Sequence, residues 1–175
     1  MIDWIELARA VGSLDGTNES GGTAYACRAL ERLLGDDGLR AAVEHVVASR
    51  PGGELAMNVL RHIESERAAQ IAYDVYRASS GDRASMAVWL IKHIAHPSTA
   101  AWIAEFLADP GVAGWGVGLL DQLLWLERVE PHDVEHLVVA AEQHAADHVR
   151  EQAVFIRGYL RERASRLVDG AGSRG

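Results

Sequence analysis

Two histidines and a glutamate form the segment of this sequence with the clearest potential for chemistry. His132, Glu135 and His136 match a His-x-x-Glu-His spacing that can hold a catalytic zinc ion. On a helix, however, the apolar stripe through Val134 and Leu137 puts both imidazoles on the opposite, solvated face. A catalytic zinc also needs a third ligand and a cleft that excludes water. We therefore predict a solvated helix face and no metal site.

The remaining reactive residue types do not form a catalytic pattern either. His62 and His93 occupy equivalent places in a repeated motif, which favours a structural role for both. Cys27 is the only cysteine, so neither an intrachain disulfide nor a paired-cysteine metal site is possible. The sequence has no nucleophile elbow, phosphate-binding loop or dinucleotide fingerprint. We predict a protein that is not an enzyme, with no catalytic residues and no cofactor.

Aromatic and charged side chains that lie off the apolar stripes of the predicted helices are candidates for partner binding. Trp102 points away from the core direction set by Ile103 and Leu107. The same side of that helix carries acidic residues, as an anchor for a partner protein could require. The alternative is that neighbouring helices bury the indole, and the sequence leaves both open. The predicted binding residues are Glu44, Tyr73, Arg77, Trp102, Glu105 and Asp109.

A short amphipathic pattern recurs five times and must position these residues. In each copy the first, second and fifth places lie on one helical face, and a second amphipathic segment separates successive copies. The copies lie at 26–30, 59–63, 90–94, 119–123 and 155–159, and the separating segments at 39–48, 66–78, 98–108 and 132–144. Each unit is thus predicted to be a helical hairpin. A lone hairpin leaves one apolar face uncovered, so the units are expected to stack.

Glycine, proline and aspartate mark the predicted boundaries of these units. Clusters such as 35–38 and 109–111 carry the residues that end and start helices. Residues 1–14 are predicted to form a capping helix at the N-terminal end of one repeat domain, residues 1–168. The tail 169–175 consists of Asp, Gly, Ala, Ser and Arg and is predicted to be disordered.

The segment 147–156 resembles the signature of HEAT-like repeats. Asp147, Val149, Arg150 and Ala153 follow the Asp-x-Val-Arg and Ala spacing of that family, and 96–110 is similar to its second helix and following loop. The resemblance spans about residues 20–163 and implies an α-solenoid of about five stacked hairpins. Relatives usually act as scaffolds, adaptors, inhibitors or chaperones. Some bacterial relatives neutralise toxins, some attach bilins to antenna proteins, and some excise alkylated DNA bases.

Composition and charge restrict the function further. The formal charge of −8, from 25 acidic and 17 basic residues, opposes approach to a phosphate backbone, so we expect no nucleic-acid partner. Lys92 is the only lysine among the basic residues, a bias typical of GC-rich bacterial genomes. No apolar run could span a bilayer and no basic leader precedes the first helix. We therefore expect a cytoplasmic protein without a membrane partner.

These observations together favour a non-catalytic protein-binding module. Within that class we expect an immunity or inhibitor protein that neutralises a basic bacterial toxin such as a nuclease, because an acidic inhibitor is attracted rapidly to a basic target. A general adaptor or scaffold fits the same facts. The alternative from another class is a HEAT-repeat enzyme similar to bilin lyases or DNA glycosylases.

Overall fold

The computed structural model of the chain describes residues 2–172, with side chains as far as Arg166, and this part of the chain is all-α, as predicted. The helices are α1 (Trp4–Val11), α2 (Thr23–Val47), α3 (Gly53–Ile63), α4 (Glu66–Arg77), α5 (Gly81–Ile94), a 3-10 helix (Pro97–Trp102), α6 (Ile103–Ala108), α7 (Ala113–Trp125), α8 (Glu135–Glu142) and α9 (Asp147–Gly172). Two two-residue strands, β1 (Leu14–Asp15) and β2 (Asn18–Glu19), form a small antiparallel hairpin after α1. None of the described helices is long and apolar enough to cross a membrane.

Helix ends follow the local chemistry of the chain. The Asp3 carboxylate accepts hydrogen bonds from the backbone N–H groups of Ile5 and Glu6, both at 3.0 Å, and thereby starts α1. Gly12 ends α1 in the left-handed region, so this helix is shorter than the segment 1–14 predicted for it. Ser65 caps α4 in the same way as Asp3 caps α1. At the other end of the chain α9 runs to Gly172, into the range 169–175 predicted as a disordered tail, of which 173–175 lie outside the described residues.

The first predicted boundary, 35–38, is a kink within α2 and not a separate loop. Gly35 has φ 58° and ψ −179°, a conformation that essentially only glycine adopts, and the backbone is helical on both sides of it. The two predicted segments 26–30 and 39–48 are therefore the two arms of one bent helix.

The helices pack as successive pairs, α2 with α3, α4 with α5, α6 with α7, and α8 with α9. One layer is formed by α3, α5, α7 and α9, each in contact with the next, while α2 contacts α4 and α6 contacts α8 on the other side. The repeated pattern supplies the core between them, since Leu60, Ile91, Leu120 and Ile156 are all completely buried. In the first copy, 26–30, every apolar side chain remains at least partly exposed, and in the last copy Phe155 is 58% exposed.

Candidate functional site

Five of the six predicted binding residues meet where α4 faces the 3-10 helix and α6. The Tyr73 and Trp102 rings stack with centroids 4.3 Å apart and an interplanar angle of 10°. Both side chains are half-buried and pack against the hydrophobic core with one part of the ring while the remainder faces solvent. Trp102 is therefore neither fully buried nor freely exposed, and it combines the two alternatives that the sequence left open.

Glu105 on α6 is hydrogen-bonded to two side chains of α4. Its carboxylate accepts a hydrogen bond of 2.5 Å from the Tyr73 hydroxyl and another of 2.6 Å from the Arg77 guanidinium. The bond from Tyr73 and the adjacent Arg77 charge lower the pKa of Glu105 below its usual value. The same bond, together with burial, raises the pKa of Tyr73. Glu105 therefore stays ionised and holds the aromatic pair in one geometry.

Asp109, at the end of α6, forms a second hydrogen bond to α4. Its partner is a tyrosine that the sequence analysis did not select. The Tyr76 hydroxyl donates to the Asp109 carboxylate at 3.2 Å, and its ring meets Phe106 edge to face at 5.1 Å. Burial and the nearby Asp109 charge raise the pKa of Tyr76 to about 12. Tyr76 is buried in the core together with Ile71 and Val75. The spacing of apolar residues along α4 therefore gave no sign that the Tyr76 hydroxyl reaches Asp109.

Glu44 lies outside this cluster. It pairs with Arg83 at the start of α5, with 2.5 Å between the carboxylate and the guanidinium, and no described hydrogen bond joins it to the other predicted residues. The structure thus brings together Tyr73, Arg77, Trp102, Glu105 and Asp109, and places Glu44 separately on α2. We call these five residues the α4–α6 surface.

An open groove of about 1110 Å³ lies elsewhere, between the first arm of α2 and the turns that follow α3, α5 and α7. Three guanidinium groups face it, those of Arg28, Arg67 and Arg128. Two of these charges are already balanced, because Arg67 binds Asp36 at 2.6 Å and Arg128 binds Glu64. The lining also includes apolar surface, and the third guanidinium, that of Arg28, lies over the Tyr25 ring at 4.7 Å from its centre and has no described carboxylate partner.

Cys27 lines that groove and is not paired with a base among the described hydrogen bonds. The Cys27 thiol donates to the backbone oxygen of His62 at 3.2 Å and has no described bond to an imidazole. Activation of a cysteine requires a nearby base or positive charge that stabilises the thiolate. The described side chains therefore include no activating partner for Cys27.

The histidines that suggested metal binding are separated in the structure. His132 lies before α8 with its side chain 80% exposed, whereas His136 lies within α8. The prediction that both imidazoles lie on one face of the same helix is therefore wrong. His144 and His148 also belong to different segments, because α8 ends before the first and α9 begins before the second. Among side chains up to Arg166, no group of three possible ligands comes together.

A second surface escaped the sequence analysis, on the layer that contains α5, α7 and α9. The Lys92 ammonium lies 5.6 Å from the centre of the Trp115 ring, and the Trp115 indole N–H donates to Ser85 at 2.9 Å. Nearby, Gln152 donates to Asp121 at 2.8 Å, and burial raises the pKa of that carboxyl group. These side chains leave an open cavity of about 270 Å³ between α5, α7 and α9, which His148 also lines.

Comparison with protein-family models, curated proteins and solved structures gives no match for this chain. Any statement about function therefore depends on the surfaces described above.

Proposed function

We propose that this chain is an α-solenoid of HEAT-like hairpins that acts as a non-catalytic protein-binding module, and that its target is a basic protein toxin. The α4–α6 surface is the binding site in this proposal. The observation that carries it is the stacked, half-buried Tyr73 and Trp102 pair beside Glu105 and Asp109.

A pre-ordered aromatic pair is well suited to bind a protein. Tryptophan and tyrosine contribute large contact areas at binding interfaces and dominate their energetics. Here the stack between Tyr73 and Trp102 and the bond to Glu105 hold both rings before a partner arrives. Binding would therefore require little further loss of side-chain freedom, which is one of the main costs of association.

The distribution of charge supports a basic target. Residues 84–149 contain nine Asp and Glu but only two basic side chains besides histidine, Lys92 and Arg128. This range includes α6, and the chain as a whole has a formal charge of −8. A negative field of this kind accelerates encounter with a positively charged protein and repels nucleic acid.

The test begins with capture of a partner by the tagged chain, followed by binding measurements on the two purified proteins. Trp102→Ala should weaken binding by about 2 kcal/mol or more, as loss of an interface tryptophan commonly does. The matched control is Trp125→Ala, which removes an indole that lies outside the α4–α6 surface. Equal affinities for wild type and Trp102→Ala would show that the wrong surface has been chosen.

Neutral variants test the electrostatic part of the proposal. Glu105→Gln and Asp109→Asn keep a hydrogen-bond acceptor for Tyr73 and Tyr76 while they remove the charge. Together they should slow association and reduce its dependence on salt, with little change in the dissociation rate. Tight binding of duplex DNA or of a tetrapyrrole by the wild-type chain would instead support an enzyme of the glycosylase or bilin lyase type.

A further inference from the structure

Two glycines on α7 leave room for a cavity beside α5 and α9. Gly114 and Gly118 are about one helical turn apart and lie on the same face of α7, opposite Gly116, which packs against α6. A methyl group at Gly114 would lie 3.1 Å from His148 Nε2, and one at Gly118 would lie 3.3 Å from Lys92 Cε. We call the space of about 270 Å³ that these missing side chains leave open the α7 cavity.

Lys92 and Asp121 bring opposite charges to the α7 cavity, and the structure does not pair them. The Lys92 ammonium lies 5.6 Å from the centre of the Trp115 ring, and neither Lys92 nor Asp121 forms an ion pair with a described side chain. Asp121 accepts a hydrogen bond from Gln152 at 2.8 Å. Burial raises the pKa of Asp121, and the Lys92 charge and the Gln152 bond offset only part of that rise. Each charge can therefore gain from contact with an opposite charge on a ligand.

Opposite charges on neighbouring walls select a ligand that itself carries both charges. A simple anion attracted to Lys92 would also face Asp121, and a simple cation attracted to Asp121 would also face Lys92. An α-amino acid avoids both conflicts, because its ammonium and carboxylate groups are attached to the same carbon atom. His148 Nε2 faces the same space and provides a further hydrogen-bonding group for the carboxylate.

An adjoining cavity offers space for the side chain of such a ligand. It measures about 330 Å³ and shares Gly114, Trp115 and His148 with the α7 cavity. Pro110 and Val112 add apolar surface to it, and no Asp, Glu, Lys or Arg lines it. Cavities of this size lie at the lower end of the range for small-molecule sites, about 300 to 1,000 Å³. The lining therefore favours an apolar side chain of moderate size.

We propose that the α7 cavity binds a free α-amino acid with an apolar side chain. The ligand's ammonium group meets Asp121, its carboxylate meets Lys92, and its side chain enters the adjoining cavity. The glycines that open this site lie on the face of α7 turned away from α6. The site is therefore separate from the α4–α6 surface, and the proposal does not depend on the proposed protein target.

Calorimetric titration of the wild-type chain with L-leucine and with L-phenylalanine is the first test. At least one of them should bind saturably at a single site, with a Kd of about 1 mM or tighter. Isoamylamine and phenethylamine are their counterparts without the carboxylate, and isocaproate and hydrocinnamate are those without the ammonium group. Each counterpart should bind at least about tenfold more weakly than its amino acid, because it loses a charge-assisted hydrogen bond.

Two variants assign the two charges of the ligand to their partners. Lys92→Met keeps an unbranched side chain without its charge, and Asp121→Asn keeps an acceptor for Gln152. Each should weaken binding of the amino acid at least about tenfold. Lys92→Met should also lose the preference for the amino acid over its amine counterpart, while Asp121→Asn should lose the preference over the acid counterpart. A purely structural role for either residue would not change these two preferences separately.

Matched controls remove similar groups outside the α7 cavity. Asp74 on α4 accepts a hydrogen bond from Gln70 at 3.0 Å, as Asp121 does from Gln152, so Asp74→Asn is the control for the carboxylate. Arg61→Met removes an exposed cation from α3, in the same layer as Lys92. Both controls should bind the amino acid with wild-type affinity. Thermal unfolding of all four variants shows whether they remain folded.

Three results would overturn the proposal. The first is the absence of saturable binding of either amino acid up to about 10 mM. The second is equal affinity of the wild-type chain for the amino acid and for its amine or acid counterpart, a comparison that needs no variant and so holds even where a substitution destabilises the fold. The third is wild-type affinity in Lys92→Met or in Asp121→Asn.

Discussion

Trp102 is the residue at which stability and binding overlap. Its ring packs against Tyr73 and the core on one side and reaches solvent on the other, so one substitution affects both properties. A binding experiment on Trp102 is therefore interpretable only when the stability of the variant is measured beside it.

Trp102→Ala should lower the free energy of unfolding by about 2 kcal/mol. A fully buried tryptophan costs about 3 to 5 kcal/mol when truncated, and this half-buried ring loses only part of that burial together with its stacking on Tyr73. Chemical denaturation measures the change. Trp125→Ala, at a more exposed position, should cost clearly less, and an equal loss in the two variants would contradict the role assigned to the stack.

Tyr76 should make the fold sensitive to alkaline pH. Burial and Asp109 raise the pKa of Tyr76 from 10.0 to about 12 in the folded protein, while the unfolded chain ionises at the ordinary value. This stabilisation is complete below pH 10 and is lost as the pH rises towards about 12. Denaturation curves over that pH range should show stability falling more steeply for wild type than for Tyr76→Phe.

The Tyr76→Phe variant also checks the cause of that slope. It keeps the ring that meets Phe106 but removes the ionisable hydroxyl that bonds Asp109. At neutral pH it should lose about 1 kcal/mol, the usual contribution of one hydrogen bond. Identical pH slopes in the two proteins would show that Tyr76 is not the group responsible. Tyr73, whose pKa is also raised, would then be the next residue to test.

At the scale of the elements, α6 and α7 pack closely because α7 has a glycine, Gly116, at the point of contact. A methyl group at Gly116 would lie 2.8 Å from the Phe106 Cβ and 3.3 Å from its backbone carbon, which is too close without movement of α6. Gly116→Ala should therefore destabilise the protein by about 1 to 3 kcal/mol in thermal or chemical unfolding.

Gly158→Ala provides the matched comparison for that substitution. Gly158 also lies within a helix, but a methyl group there meets nothing within 4 Å. Its replacement should stabilise α9 by up to about 1 kcal/mol because alanine has the higher helix propensity. Stabilisation by both substitutions would show that helix propensity, and not the contact between α6 and α7, decides the outcome.

The kink in α2 gives a second prediction at this scale. Gly35→Ala places a side chain in a backbone region that only glycine adopts readily, with φ at 58° and ψ at −179°. It should cost about 1 to 3 kcal/mol of stability, although nothing lies within 4 Å of the added methyl group. An unchanged unfolding midpoint would mean that the angle between the two arms of α2 can adjust freely.

At the scale of the whole molecule, α9 covers the apolar faces of the preceding helices. Its buried side chains Val149, Ala153 and Ile156 pack into the core, and Arg157 binds both Glu135 and Glu142 from α8. Deletion from Asp147 onward should therefore leave α7 and α8 uncovered and cause aggregation, as light scattering would detect. A control deletion from Ala164 onward keeps Val149, Ala153 and Ile156 in place and should remain soluble. A soluble, cooperatively folded chain without α9 would count against stacking of the units.

The sequence by itself determined the helical class, the approximate helix positions and most of the buried face. Leu60, Ile91, Leu120 and Ile156 were identifiable because helical periodicity of apolar residues is a local property that tertiary packing preserves. The break near Gly35 was predictable for the same reason, since glycine and aspartate act on the backbone next to them. The grouping of Trp102 with Glu105 and Asp109 also followed from positions on neighbouring turns.

Only the tertiary structure decided what each of those side chains contacts. Tyr73 and Glu105 are 32 positions apart, and the spacing within one helix carries no information about a hydrogen bond to another. Tyr76 was missed because an aromatic residue on an apolar stripe predicts burial but not the partner of its hydroxyl. The ion pair of Glu44 with Arg83 was missed for the same reason, because the packing of α2 against the start of α5 determines it. The exposure of Leu30 likewise depends on its place in the fold, since the fifth position of the pattern is buried at Ile63, Ile94 and Leu123 but not in the first arm of α2.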